Sequence, residues 1–392
     1  MREAVIVSAC RTPIGSFNGA LSALSAPQLG AVVIREAVRR AGIRSEDVDE
    51  VVMGNVLSAG LGQAPARQAA LFAGLPFSVE CMTINKVCGS GLKAVSLAAQ
   101  AIALGDADVI VAGGMESMSN APYLLENARR GYRMGHGQVV DVMIKDGLWD
   151  VYNNFHMGNA AELCARECAI SREAQDEFAI ESYRRAQEAQ RAGKFADEIV
   201  PVSIPQKKGE PVLVREDEEP GKTDFSKIPT LKPAFEKDGT VTAANSSKIN
   251  DGAAAVVVMS AERARASGAT PIARIVAYAS AAKKPEYFTT APVDVVKKVL
   301  QKAHLTKDDI DLFEINEAFA VVGIVSIQQL GLDPKKVNVN GGAVALGHPI
   351  GASGARILTT LLYAMKQRNA RRGLAALCIG GGEATAMIVE RT

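Results

Sequence analysis

Two stretches of this chain repeat in order. "AGIRSEDVDEVVMGN" (Ala41 to Asn55) aligns with "AHLTKDDIDLFEINE" (Ala303 to Glu317), keeping one alanine, two aspartates and the apolar positions. "GSGLKAVSLAAQAIALGDADVIVAGGMES" (Gly89 to Ser117) aligns with "GASGARILTTLLYAMKQRNARRGLAALCIGGGEA" (Gly351 to Ala384): Ser-Gly, an apolar helix, a charged linker, an apolar strand, then Gly-Gly. Each pairing carries little alone, but four matching elements in one order predict a duplicated α/β unit. A length of 392 residues, long for one core, agrees with two or three domains.

The period of the apolar residues fills in the repeat. A strand is expected at about Ala4 to Ala9, a helix at Pro27 to Ala41 and a strand near Val51. The helix from Ser90 is apolar on nearly every side, interrupted only by Lys93 and Gln100, which predicts central burial. "GLAALCIGG" and "ATAMIVE" read as the last two strands, the latter at a sheet edge. Between Asn120 and Asn245 the pattern breaks into an amphipathic helix opened by Ser171 and a loop rich in Pro, Gly and both charge signs. "NDGAAAVVVMS" then returns to a buried strand, so the first domain is discontinuous: 1–119 plus 246–269, with 120–245 inserted and 270–392 as the second domain.

Bulk properties exclude several classes of function. A net charge of +1 gives no whole-surface pull on nucleic acid or membrane. No apolar run approaches the ~20 residues of a bilayer span, and "MREAVIVSACRTP" reads as a first strand rather than a secretory segment. Six cysteines form no CxxC pair and no zinc spacing, so no metal is expected. Cys164 and Cys168, four apart on a helix, read as packing, and reduced thiols place the chain in the cytoplasm.

Cys88, in "NKVCGSGLKAV", stands where the chain enters the buried helix. Unpaired N–H groups and the positive end of the helix dipole favour thiolate there. Cys378 ends an apolar strand just before three glycines, at the pole of an α/β sheet where sites form. The duplication sets the two cysteines at the same pole of their repeats. His348, in "GHPIGASG", lies among glycines and is restricted to extended geometry by Pro349. Asn316 and Glu317 close a strand and open a helix, positions equally suited to capping. His156 precedes a helix, as a cap or as a site residue.

Taken together, "NKVCGSG", "HMGNAAE", "NDGAAA", "NEAFA", "GGAVALGHPIGASGAR" and "CIGGG" resemble, in that order, the motifs of the thiolase family, and the resemblance covers essentially the whole chain. It implies a thiolase fold: βαβαβαββ halves in five α-β-α-β-α layers, with an inserted loop domain. It implies a homotetramer and coenzyme A esters as substrates, with acetyl-CoA, acetoacetyl-CoA and CoA as the partners of its short-chain branch and no separate cofactor. By the same likeness Cys88 is the nucleophile, His348 its activator and an oxyanion donor, Asn316 a helper through water, and Cys378 the acid and base. Gly380 and Cys88 supply backbone N–H groups to a second oxyanion hole. Around the acyl and pantetheine groups it places His156, Met157, Leu148, Ser247, Phe235 and Phe319, and near the nucleotide Arg215, Lys222 and Lys227. Phe288 stands where short-chain members often carry methionine, and Ala244 and Lys248 replace glycines beside Ser247. Two rivals remain at this stage: a 3-ketoacyl-CoA thiolase for longer chains, and a Cys–His acyl-CoA hydrolase.

Overall fold

In the computed structural model, which describes residues 2–392, the repeated aspartates have identical work. Asp49 accepts the backbone N–H groups of Asp108 (2.7 Å) and Val109 (2.9 Å) on one carboxylate oxygen. Asp311 does the same for Arg371 (2.8 Å) and Arg372 (2.9 Å). Asp47 and Asp309 each accept the N–H three residues before them, from Arg44 and Thr306. These side chains fix the turn that feeds a strand beside its parallel neighbour, and a buried N–H left unpaired there costs about 1–3 kcal/mol.

The first half runs β1 (Ala4–Arg11), α1 (Ala26–Ala41), β2 (Glu50–Gly54), α2 (Pro65–Phe72), β3 (Glu80–Ile84), α3 (Ser90–Leu104) and β4 (Val109–Ser117). After an insertion carrying α4 (Met157–Glu167) and α5 (Arg172–Arg191), β5 (Asn250–Ser260) completes it. The second half contains β6 (Ala273–Ala282), α6 (Ala291–Ala303), β7 (Leu312–Ile315) and α7 (Ala320–Leu330), then α8 (Ser353–Gln367), β8 (Arg372–Ile379) and β9 (Glu383–Arg391). Strand order is β3-β2-β4-β5-β1 in one half and β7-β8-β9-β6 in the other. The strand that would complete the second set is reduced to one parallel bridge, Val337 to Phe313. β1 and β6 pair antiparallel, Val5 opposite Arg274, and join the two sets.

Five layers follow from where the apolar faces go. α3 and α8 share one core between the two sheets, with Leu92, Val95, Ile357 and Leu361 among its members. α1 and α2 cover the outer face of the first sheet, and α6 and α7 that of the second. The all-round apolar α3 is therefore central, as its sequence predicts. β9 corrects the sequence reading: it lies between β8 and β6 rather than at an edge, and its interior is buried on both faces. The register also corrects the repeat. Val51 opposes Val111 and Phe313 opposes Leu374, which sets Gly114 against Leu377, so the two Gly-Gly pairs are not equivalent.

The insertion is fastened by charge. Arg11, on β1, is fully buried and donates to Glu198 (2.6 Å) and through two nitrogens to Asp217 (2.7 and 2.9 Å). Removing one partner of such a group leaves an uncompensated buried charge.

At their N-termini α3 and α8 touch through bare backbone. A Cβ on Gly91 would lie 2.7 Å from the Ala355 nitrogen, and one on Gly354 would lie 2.3 Å from the Leu92 nitrogen. Backbone cannot yield as a side chain tip can. Gly354→Ala is therefore expected to cost about 1–3 kcal/mol, the usual range for overpacking. Thermal unfolding measured beside wild type checks this, and an unchanged Tm refutes the contact.

Candidate active site

Cys88 is held by a strained turn. The β-branched Val87 just before it has φ 44, a left-handed conformation that such residues rarely adopt. Three hydrogen bonds sustain it: Asn85 Oδ1 accepts the Val87 N–H (2.9 Å), Ser90 Oγ donates to the Val87 carbonyl (2.6 Å) and accepts the Lys86 N–H (2.8 Å). The half-buried sulfur meets the backbone N–H groups of Gly380 and of Cys88 itself. Burial outweighs them and pushes the thiol up to about 11, with the carboxylate of Glu116 acting in the same direction. The lowered pKa expected from a helix start does not hold, because burial of the sulfur outweighs the N–H groups that face it.

His348 reaches the site from the other half. Its backbone N–H donates to Asn250 Oδ1 (2.9 Å), and its Nδ1 lies 2.6 Å from Ser353 Oγ. Ser353 has one hydroxyl proton, and the Pro349 carbonyl (2.9 Å) can only accept it. With that proton on the carbonyl, the Ser353 oxygen accepts from Nδ1–H, and Nε2 is left as a bare lone pair. Nε2 is buried without a hydrogen-bond partner among the described residues, as is Asn316 Oδ1. Asn316 Nδ2 lies 3.5 Å from His348 Nδ1, too far for a good hydrogen bond. Burial, aided by the charge of Arg356, lowers His348 to about 3, so the ring is neutral at ordinary pH.

Cys378, on β8, is fully buried among Met157, Phe288 and Phe319. Burial raises its thiol well above the ordinary value, and the neighbouring Cys88 adds to the rise. Gly380 leaves the space beside Cys88 open: a Cβ there would lie 3.4 Å from Met157 Sδ and 3.8 Å from Val87. His156 caps α4, its Nδ1 accepting the Gly158 N–H (3.0 Å), and its ring stacks on Phe235 at 4.8 Å. Phe235 meets Phe319 edge-on at 6.1 Å, and Phe319 meets Phe288 at 6.4 Å. Leu148 packs on the other side of Cys88 with Val56 and Ile350. Ser247 joins this wall through its N–H to the Ala318 carbonyl (3.0 Å).

The basic residues of the insertion are not gathered there. Lys222 donates to Ser16 Oγ (2.6 Å) and Glu218 (3.3 Å), Lys227 pairs with Asp224 (3.5 Å), and Arg215 is exposed. Three residues that build the site escaped the sequence reading: Ser353, Asn250 and Glu116. Ser353 sits inside the quoted glycine motif, where a hydroxyl five residues after a histidine was the available signal. Glu317, by contrast, is structural, accepting from Ser182 (2.7 Å) and Asn338 (2.8 Å).

Two neighbouring thiols, backbone N–H groups facing one of the sulfurs, and an imidazole with an unpartnered Nε2 are set among apolar side chains. Such a set can move an acyl group onto sulfur and shuttle a proton to or from carbon.

Comparison with known proteins agrees with this chemistry. The model of the thiolase N-terminal domain matches residues 4–262, and that of the C-terminal domain matches 269–391. A protein named acetyl-CoA acetyltransferase from Cupriavidus necator is 59% identical over 393 residues, covering 100% of both chains. The crystal structure of the Bacillus anthracis acetyl-CoA acetyltransferase superposes with a TM-score of 0.98 at 42% identity, covering 100% of this chain and 99% of that one. A thiolase from Ascaris suum, solved in complex with coenzyme A, gives 0.95 at 48% identity, covering 100% of both chains. The chain belongs to the thiolase family.

Proposed function

We propose that this protein is an acetyl-CoA acetyltransferase, joining two molecules of acetyl-CoA reversibly into acetoacetyl-CoA and CoA. The observation that carries the reading is that Cys88 and Cys378 are near neighbours in a chain that also buries one neutral histidine with an unpartnered Nε2. In the first step Nε2 takes the Cys88 proton and the sulfur attacks the acetyl carbonyl. The tetrahedral oxyanion lies against the N–H groups of Cys88 and Gly380. CoA leaves as a thiol with the proton of Cys378, so acetyl-Cys88, a Cys378 thiolate and an imidazolium remain.

In the second step the Cys378 thiolate removes a methyl proton from the second acetyl-CoA. Burial makes it a strong base, which suits a weakly acidic carbon. The Nε2–H of His348, with Asn316 acting through water, holds the enolate oxygen. The carbanion attacks acetyl-Cys88, the carbon–sulfur bond breaks, and the Cys88 thiolate recovers its proton from His348. Phe288, buried against Phe319, closes the acyl pocket and favours short chains. His156 turns its Nε2 away from its cap, free for the pantetheine arm beside Ser247, while the charged insertion serves the nucleotide end. The protein works in the cytoplasm as a tetramer of paired dimers, with the apolar Met82 on the edge strand β3 and Phe77 just before it exposed in the single chain.

Three measurements test these readings. In thiolysis of acetoacetyl-CoA, Cys88→Ala and Cys378→Ala should each lose roughly 10³-fold or more in rate. Only Cys378→Ala should still accumulate acetyl-Cys88 from acetyl-CoA by mass spectrometry. Normal turnover in either variant removes its assigned role. Alkylation of Cys88 by iodoacetamide should keep rising with pH through about 11, the value to which burial raises the thiol; a plateau by neutral pH contradicts that burial. Light scattering should return four times the 41.3 kDa chain mass, and a monomer overturns the assembly.

A further inference from the structure

The residue that joins the most parts of the site belongs to no motif. Glu116, near the end of β4, is fully buried. Its carboxylate accepts four N–H groups: Asn55 Nδ2 (2.7 Å), the backbones of Val56 (3.0 Å) and Leu57 (3.2 Å), and the backbone of Gly351 (2.9 Å). All four groups can only donate, which suits an ionised acceptor. Val56 and Leu57 line the wall on which Cys88 packs. Gly351 follows His348 by three residues and precedes Ser353, which orients the imidazole.

The fit is close on every side. A Cβ at Gly351 would lie 2.6 Å from Glu116 Oε2. The Gly351 carbonyl would meet a Cβ at Gly114 at 2.0 Å and one at Gly54 at 2.8 Å. The loop between His348 and α8 therefore has no other seat, and Glu116 is the polar pin that holds it there.

We propose that Glu116 is a positioning residue, whose carboxylate locks the His348 loop to Asn55–Leu57 and so sets His348 against Cys88. The proposal rests on the thiolase reaction argued above. Two titratable groups face the carboxyl, Asp251 on β5 and Cys88 before α3. Burial, with a smaller push from Asp251, raises the carboxyl to about 7 against the opposing N–H groups of Val56, Leu57 and Gly351. The pin thus changes charge near neutrality: the anion that matches four donors grows as pH rises through about 7 and is lost below it.

The test uses Glu116→Gln, which keeps the size but turns an NH₂ against N–H donors. Acetoacetyl-CoA thiolysis and Cys88 alkylation by iodoacetamide are both followed against pH, beside wild type. Expected is a ~10- to 100-fold fall in kcat with little change in KM, the scale of a misplaced catalytic group. The acid limb of kcat near pH 7 should disappear, and Cys88 should alkylate at lower pH because a facing anion is gone. If Glu116→Gln does not fold, Asn55→Leu removes one donor and should lower kcat ~3- to 10-fold, again with KM nearly unchanged. The proposal falls if kcat stays within twofold of wild type, or if kcat drops while both pH profiles keep their wild-type positions. Wild-type thiolysis, measured alongside, tests the reaction itself, whereas alkylation reports on Cys88 whatever the reaction is.

Discussion

Everything in the site depends on how closely α3 and α8 approach. Their N-termini meet where Gly91 faces the backbone of Ala355 and Gly354 faces that of Leu92, each too near for a Cβ. Only this approach lets the segment before one helix, carrying Cys88, lie beside the segment before the other, carrying His348. The two come from halves of the chain that share no local sequence contact. A single methyl group at the crossing would separate them, and a small displacement of a catalytic base costs far more in rate than in stability.

The second condition is burial. Burial raises both thiols and lowers the imidazole, so the resting site holds its three reactive groups uncharged. A charge appears only when a proton moves between them, and it appears opposite a partner. The Gly380 and Cys88 N–H groups already face the sulfur, and in the proposed reaction they spare the reorganisation that water would need around the negative oxygen. The same burial makes Cys378 a poor acid at rest and a strong base once ionised, which the two proposed half-reactions require.

How much of this was legible in the sequence follows the range of each interaction. The repeat was readable because Asp47 and Asp309 act on amides of their own turns, while Asp49 and Asp311 bond the start of a neighbouring strand 59 to 61 residues on, at matching positions in both halves. Cys88, His348 and Cys378 were readable as chemistry set among glycines, and the family resemblance supplied their roles. Asn250 and Glu116 were not, since their bonds to His348 and Gly351 cross 98 and 235 residues of chain. The order of β8, β9 and β6 was hidden for a related reason. Buried edge and interior strands look alike in composition, and only pairing separates them. The direction of the Cys88 shift was missed because a helix start was weighed without the apolar wall of Val56, Leu148 and Ile350 around it.

The symmetry of the frame sharpens the reason that only one set of its positions is chemical. Ser90 and Ser353 are equivalent, each turning its hydroxyl back to a carbonyl of the preceding turn. By that register Gly351 is the counterpart of Cys88, and Ile379 that of Glu116. Ile379 lies on Gly89, where a Cβ would meet it at 2.4 Å, as Glu116 lies on Gly351. In one half an apolar side chain closes over the helix entry, and the sulfur beside it is free to react. In the other a carboxylate takes that place, and the residue opposite has room only for a hydrogen atom. A cysteine at 351 would press its side chain into an anion that also opposes its ionisation. The duplicated frame thus supplies two matching helix entries, closed by Ile379 in one half and by Glu116 in the other.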